Sequence, residues 1–295
     1  MSEDEDEENK KKMLDLFIAL IRSMGNADSR EEALYQLAEL RTEIAVNRAF
    51  DGFNIEPEDA LSLIREMDVT ELSEEDIEKR NVLIAAISNL IEFATCEEYH
   101  LYKDVEKQGE NYTDEDWIDE NLDDPLSPFL NINHKYNEVY ADVEDSDIEY
   151  SMAMAWLWVV EWDKHTTLTY MTQNDDRVRP WHYALQGFTA RRDEFPEWMI
   201  PPIEWACRCY LVAETGVSAK LDLNVMAKQK TPKKPKELDG IFKESVCKCG
   251  RIFSDEHPYF QIDDKDEDML KGFVERLRQK YYGQENIGIP KYWQK

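Results

Sequence analysis

The stretch Tyr170–Val212 reads YMTQNDDRVRPWHYALQGFTARRDEFPEWMIPPIEWACRCYLV, and it sets acids, guanidiniums, an imidazole, two thiols and bulky aromatics between Pro180, Gly187, Pro196, Pro201 and Pro202. Thr172, Asn174 and Asp175 suit a turn, because short polar side chains fold back onto nearby backbone N–H groups. Pro180 pushes Arg179 toward an extended conformation, so Arg177 and Arg179 point to one side. Pro180 also suits the first position of a helix and Gly187 the residue just past its end, which predicts a short helix over 180–186. His182 and Gln186 share one face of it, Trp181 and Leu185 another. After the Phe195–Trp198 corner, ACRCYLV reads as a strand with Cys207 and Cys209 facing one way and Arg208 the other.

Working outward, the N-terminal third reads as a helical bundle, so the expected fold class is a predominantly helical α+β protein: that bundle, a small α+β core and a C-terminal extension. Residues 1–12 form an acidic-then-basic tail, expected to be solvated. Residues 13–102 form a helical region, in which Leu14, Phe17, Ile18 and Ile21 recur at three- and four-residue spacing. Gly25-Asn26 stops that helix and Asp28 or Ser29 caps the next, whose Leu34, Leu37, Leu40 and Ile44 run through Arg41-Thr42-Glu43. Arg41 and Glu43 read there as an ordinary solvated helix face. Pro57 begins another helix, and Ser73 to Asp76 is a capping-box arrangement ahead of an apolar helix over 82–93. Residues 103–149 are an acidic insertion packed by its aromatics. Asp114, Asp116 and Asp119 cluster carboxylates as calcium prefers, but the glycine and terminal glutamate of an EF-hand loop are missing.

The α+β core occupies 150–219. A helix from Tyr150 to Leu168 leads into it, with Met154, Trp158 and Trp162 four residues apart as core packing. A basic segment over 220–240 reads as an extended linker. The C-terminal extension, 241–295, carries Cys247-Lys248-Cys249 and a helix over 268–282, and ends in an aromatic GIPKYWQK that suits docking on a neighbour.

Composition narrows the function classes. Hydrophobic residues at 42% and aromatics at 11% of 295 residues fit a folded protein with a substantial core. The net charge of −29 repels phosphate backbones, so broad nonspecific nucleic-acid binding is disfavoured. A local patch at Lys228–Lys236 is the exception, suited to linker duty or to contact with DNA phosphates. No apolar run is long enough to span a bilayer, and the N-terminus has no secretory signal pattern. The expected setting is a reducing cytoplasm, where five cysteines favour free thiols or metal over disulfides.

Thr172, Asp176-Arg177-Val178-Arg179-Pro180, His182, Gly187, Trp198, Pro201-Pro202 and Cys207-Arg208-Cys209 stand in the order seen in the phage Mu F-like minor head, or head morphogenesis, family, which this chain resembles over about 154–212. Gln186 departs from the acidic or histidine residue that often precedes the glycine, and the C-terminal extension is unusual. The resemblance implies a structural component of a tailed-phage virion, associated with portal or capsid proteins at the head and assembled in the bacterial cytoplasm, in some members influencing DNA delivery. It implies no enzymatic activity.

Two chemical readings stand beside it. Cys207, Cys209, Cys247 and Cys249 offer four thiolates for a tetrahedral structural zinc, with His182 or His257 as a substitute ligand; free buried thiols and disulfides are the alternatives. Asp175, Asp176 and His182 offer metal ligands or an acid–base pair for phosphodiester hydrolysis by a nuclease or phage-borne toxin. Against that stands the absence of His-Glu-x-x-His, a phosphate-binding glycine loop and Gly-x-Ser-x-Gly. The simpler account gives Asp176 to an arginine and His182 to a buried hydrogen bond.

Overall fold

A computed structural model describes residues 3–66, 68–109, 127–213, 232–236, 238 and 240–283. These are mostly helical, with one small antiparallel sheet, as expected. The helices are α1 (Glu3–Ser23), α2 (Ala27–Gly52), α3 (Pro57–Arg65), α4 (Glu74–Gly109), α5 (Ser127–His134), α6 (Ala141–Trp156), α7 (Pro180–Tyr183) and α8 (Glu267–Tyr282). Wide π turns, Lys135–Tyr140 and Leu157–Glu161, follow α5 and α6. The chain divides into two compact units. One takes in Met1–Arg48, Leu90–Asp145 and Pro258–Ile287, and the other Ala49–Asn89, Ser146–His257 and Gly288–Lys295.

Local chemistry explains the helix starts. Asn26 caps α2, its side-chain oxygen accepting from Ser29 N–H at 3.0 Å, so the cap falls two residues before the expected Asp28. Ser73 caps α4 as expected, accepting from Asp76 N–H at 3.1 Å while its hydroxyl donates to the Asp76 carboxylate at 2.6 Å. Pro57 and Pro180 open α3 and α7, where a missing N–H costs nothing. Residues 4–12 are mostly exposed, as expected of a solvated segment, but they belong to the first turns of α1 and not to an irregular tail; Asp6 accepts both of its bonds to Arg48 at 2.8 Å, which holds that end in place.

The first unit has an apolar core that includes Phe17, Leu20, Leu37, Ile91, Leu101, Leu270 and Leu277, with Tyr35 edge-on to Phe273 at 5.4 Å. Set into it is an ionic cluster that overturns the solvated reading of Arg41. Only 1% of Arg41 is exposed. Its guanidinium donates to Glu97 at 2.7 Å, Asp145 at 2.6 Å and Glu144 at 3.3 Å. Burial and the Glu97 charge hold the Glu144 carboxyl well above its usual range. Glu43, by contrast, is exposed and pairs with Lys280 at 3.2 Å.

The second unit holds the sheet, ordered β2-β1-β3 from β1 (Thr167–Met171), β2 (Thr189–Arg191) and β3 (Tyr210–Ala213). β1 pairs antiparallel with both neighbours, Leu168 opposite Ala190 and Ala213, and Tyr170 opposite Leu211. Leu168 therefore lies in a strand and not at the end of the preceding helix, which the π turn closes at Glu161. Met154, Trp158 and Trp162 are buried as core residues, Trp158 lying 6.5 Å from Phe195. Asn89 donates to Phe253 O at 3.0 Å and accepts from Phe253 N–H at 2.9 Å, tying α4 to the C-terminal extension.

Asp114, Asp116 and Asp119, most of the 220–240 segment including Lys228 and Lys230, and the terminal GIPKYWQK lie outside the described residues. Lys233, Lys234 and Lys236 are described and exposed. No helix among the described residues is long and apolar enough to cross a membrane.

Candidate metal centre

His182 is placed by α7. Arg179 is extended ahead of Pro180, and its carbonyl accepts from His182 N–H at 3.0 Å. Regular helix ends at Tyr183, short of the expected Gln186, because Leu185 and Gln186 reach back only three residues, to His182 and Tyr183. Gly187, at φ +81°, then reverses the chain. Its N–H meets Tyr170 O at 2.8 Å while Tyr170 N–H meets Phe188 O at 2.8 Å, so the turn carrying His182 is clamped to β1.

The two thiols arrive on the irregular segment before β3. The expected strand over ACRCYLV begins only at Tyr210, since Ala206 is left-handed at φ +51° and Cys207 N–H turns back to Glu204 O at 3.1 Å. The buried Asp147 on α6 fixes that bend, its carboxylate oxygens accepting from Ala206 N–H at 3.0 and 3.1 Å. Burial pushes the Asp147 carboxyl up to about 7, against the pull of that N–H and of Arg179. As the sequence suggests, Cys207 and Cys209 turn inward, while Arg208 turns out to Asp175 at 2.8 Å.

The result is one compact group. His182 Nδ1 lies 3.3 Å from Cys209 Sγ and 3.7 Å from Cys207 Sγ. All three ligand atoms fall within 4.8 Å of one another, and all three residues are buried. The opposite ring nitrogen, Nε2, lies 3.1 Å from Glu204 Oε2. Glu204 is itself held by Arg179 Nε at 2.8 Å and Trp181 Nε1 at 3.2 Å. A carboxylate on Nε2 fixes the tautomer that leaves Nδ1 with a free lone pair toward the sulfurs, the arrangement that orients metal-binding histidines. The thiols are already polarised: the Cys207 S–H donates to Cys209, which lowers the Cys209 pKa and raises that of Cys207, with Tyr170, Arg179 and Arg208 also favouring the Cys209 thiolate. This nitrogen-and-two-sulfur set can hold a metal ion.

Cys247 and Cys249 do not join it, which corrects the four-thiolate expectation. They sit on a tight turn in which Cys247 N–H reaches Ser245 Oγ at 3.3 Å and Cys249 takes a left-handed conformation at φ +57°. Lys248 Nζ donates to Phe195 O at 2.6 Å and Ser245 N–H to Glu197 at 3.1 Å, so this turn is pinned to the 195–197 corner and not to the Cys207 segment. Burial pushes the Cys247 thiol up to about 12, which favours the inert neutral form. His257 is occupied against the Trp205 ring at 5.6 Å, and Cys96 is buried in α4.

The remaining motif residues divide. Thr172 hydroxyl bonds Gln186 and accepts from Asn174 N–H at 3.3 Å, closing the turn ahead of α7. Pro201 and Pro202 are buried, with a cis peptide between them, and Trp198 is half-buried on a short turn over Glu197–Met199. Asp176 and Arg177 are exposed and stand outside the group. The arginine partner expected of Asp176 belongs to Asp175, whose carboxylate bonds Arg208 and accepts Arg177 N–H at 3.1 Å. Among the described residues, the metal-capable group holding His182 contains neither Asp175 nor Asp176. Glu204 and Tyr170 went unread in the sequence, and their only signal is position, beside the Pro-Pro pair and ahead of Thr172.

No family model, curated protein or solved structure matches the chain.

Proposed function

We propose that this chain is a structural minor head protein of a tailed bacteriophage or prophage, associated with portal or capsid proteins during assembly, and that His182, Cys207 and Cys209 bind one structural zinc. The observation that carries the reading is the meeting of His182 Nδ1 with the Cys207 and Cys209 sulfurs, at 3.7 and 3.3 Å, while Glu204 holds the other ring nitrogen. Of the six motif residues expected to converge, Arg179, His182, Cys207 and Cys209 build this group, while Asp176 and Arg177 are exposed and lie outside it. Imidazole with two thiolates suits zinc, a borderline-soft ion that favours nitrogen and sulfur donors. The bound ion would cross-link α7 to the segment entering β3 and so hold a core whose sheet has only three short strands.

The acidic surface supports placement beside packaged DNA without adhesion to it, since a net charge of −29 repels phosphate. The exposed Lys233, Lys234 and Lys236 leave room for local contact with DNA or with an acidic partner. Mass spectrometry of particles purified from the encoding phage or an induced prophage tests the virion assignment. The chain should be found at a few copies per particle, and its absence from intact particles would refute the assignment.

A further inference from the structure

We propose that the hydroxyl of Tyr170 belongs to the metal centre, as the group that donates to the Cys209 sulfur when metal is bound; this rests on the metal reading above. Tyr170 lies in the middle strand β1, where alternation turns it inward with Leu168, and none of its surface is exposed. Its backbone is clamped on both sides, by Gly187 N–H on its carbonyl and by Phe188 O on its N–H, so the ring moves with the turn that carries His182. At the end of that ring Oη is buried without a hydrogen-bond partner of ordinary geometry. The titratable groups near it are the Cys209 and Cys207 sulfurs and, more weakly, the Tyr150 hydroxyl.

A buried hydroxyl left unbonded is costly, and such groups point to a partner that the fold is built to receive. The second tyrosine here makes the contrast. Tyr150 spends its hydroxyl on the Cys209 main-chain carbonyl, fixing the backbone and leaving the sulfur to Tyr170. One divalent ion with two thiolates is neutral, so the centre gains no charge on loading, but each thiolate keeps lone pairs that accept an O–H. His182 and Cys207 approach Cys209 from within the ligand set, and Tyr170 supplies the donor from outside it. Tyr170 is thus a positioning residue for Cys209 and not a ligand.

The test uses the full chain loaded with cobalt(II), whose thiolate charge-transfer band reports on the sulfur lone pairs. Tyr170→Phe keeps the ring and removes only the donor. The expected result is a band moved to longer wavelength and metal affinity weakened about tenfold, the loss typical of one hydrogen bond to a charged group. Tyr150→Phe should leave the band position unchanged. An unaltered band and an affinity within about twofold of wild type in Tyr170→Phe would overturn the proposal. If that variant does not fold, a crystal structure of the loaded wild-type protein decides: Oη within hydrogen-bond reach of Cys209 Sγ supports the assignment, and Oη turned away from it refutes it. If the wild-type chain takes up no cobalt, the metal reading fails by itself, and alkylation of Cys209 in the metal-free protein at fixed pH settles the contact. A several-fold slower rate in Tyr170→Phe upholds it, and equal rates dismiss it.

Discussion

Replacing Arg41 with Met would remove the buried cation that Glu97, Glu144 and Asp145 share, leaving only Arg48 among the described residues, 3.8 Å from Asp145, while keeping most of the side chain's volume. Arg41 makes three charge-assisted bonds, at 2.6 Å to Asp145, 2.7 Å to Glu97 and 3.3 Å to Glu144. Breaking a buried ion pair from one side costs about 3 to 5 kcal/mol, because the partner is left charged and desolvated. Relief comes through protonation: Glu97 and Glu144 are already raised by burial, and without Arg41 they rise further. The sign follows. Arg41 stabilises ionised carboxylates, so its contribution is present at neutral pH and is lost as pH falls and the carboxylates protonate. Arg41→Met should therefore lose about 3 to 5 kcal/mol at pH 7 and clearly less near pH 4, by denaturant unfolding with hydrogen exchange read in α2 and α4. Adding Glu97→Gln should recover part of the loss. A cost below about 1 kcal/mol, or one that does not change with pH, would refute the buried-cluster argument.

Four further outcomes are expected. Asp147 is raised to about 7 from an ordinary carboxyl value, so its stability contribution is fully present below the ordinary value and is lost as pH rises through 7; Asp147→Asn should flatten the fall in stability between about pH 4 and 7, read by urea midpoints across pH. Gly187→Ala meets no atom within 4 Å but must adopt φ +81°, so thermal unfolding should show a loss of about 1 kcal/mol. Gly52→Ala places its Cβ 2.3 Å from Glu149 O and should cost more, about 1 to 3 kcal/mol. Asn89→Ala removes two hydrogen bonds to the buried Phe253 backbone, whose carbonyl keeps Arg251 Nε at 3.1 Å, and should cost about 1 to 3 kcal/mol, with faster hydrogen exchange at Phe253 as the local sign.

Helices and caps were legible because they are local. Ser73 with Asp76, Pro57 and Pro180 act within one turn, and the structure places each at a helix start. The inward turn of Cys207 and Cys209 matches the one-residue spacing read in the sequence, although the segment that carries them is irregular and the strand begins only at Tyr210. The ionic cluster was not legible, although the sequence carries its signal. Arg41 falls on the apolar row of Leu34, Leu37 and Ile44, Glu97 on that of Leu90, Ala94 and Leu101, and Glu144 on that of Ala141 and Ile148. A charge on an apolar row reads as a solvated exception until its counter-charges on other helices are recognised, and nothing local says which they are. The zinc set failed through the same gap: Cys247-Lys-Cys249 resembles Cys207-Arg-Cys209 in spacing, but the Lys248 bond to Phe195 that pins it elsewhere is a tertiary fact. Glu204 gains its role only once α7 has brought His182 beside it.

Metal content measured on the intact chain, expressed with zinc available and purified without chelator, tests the central claim most directly. The account predicts close to one zinc per chain, retained in a Cys247→Ser/Cys249→Ser variant and lost in His182→Ala and in Cys209→Ser. Less than about a tenth of an equivalent in the wild-type chain, or zinc that departs with Cys247 and Cys249 and survives the loss of His182, would contradict it.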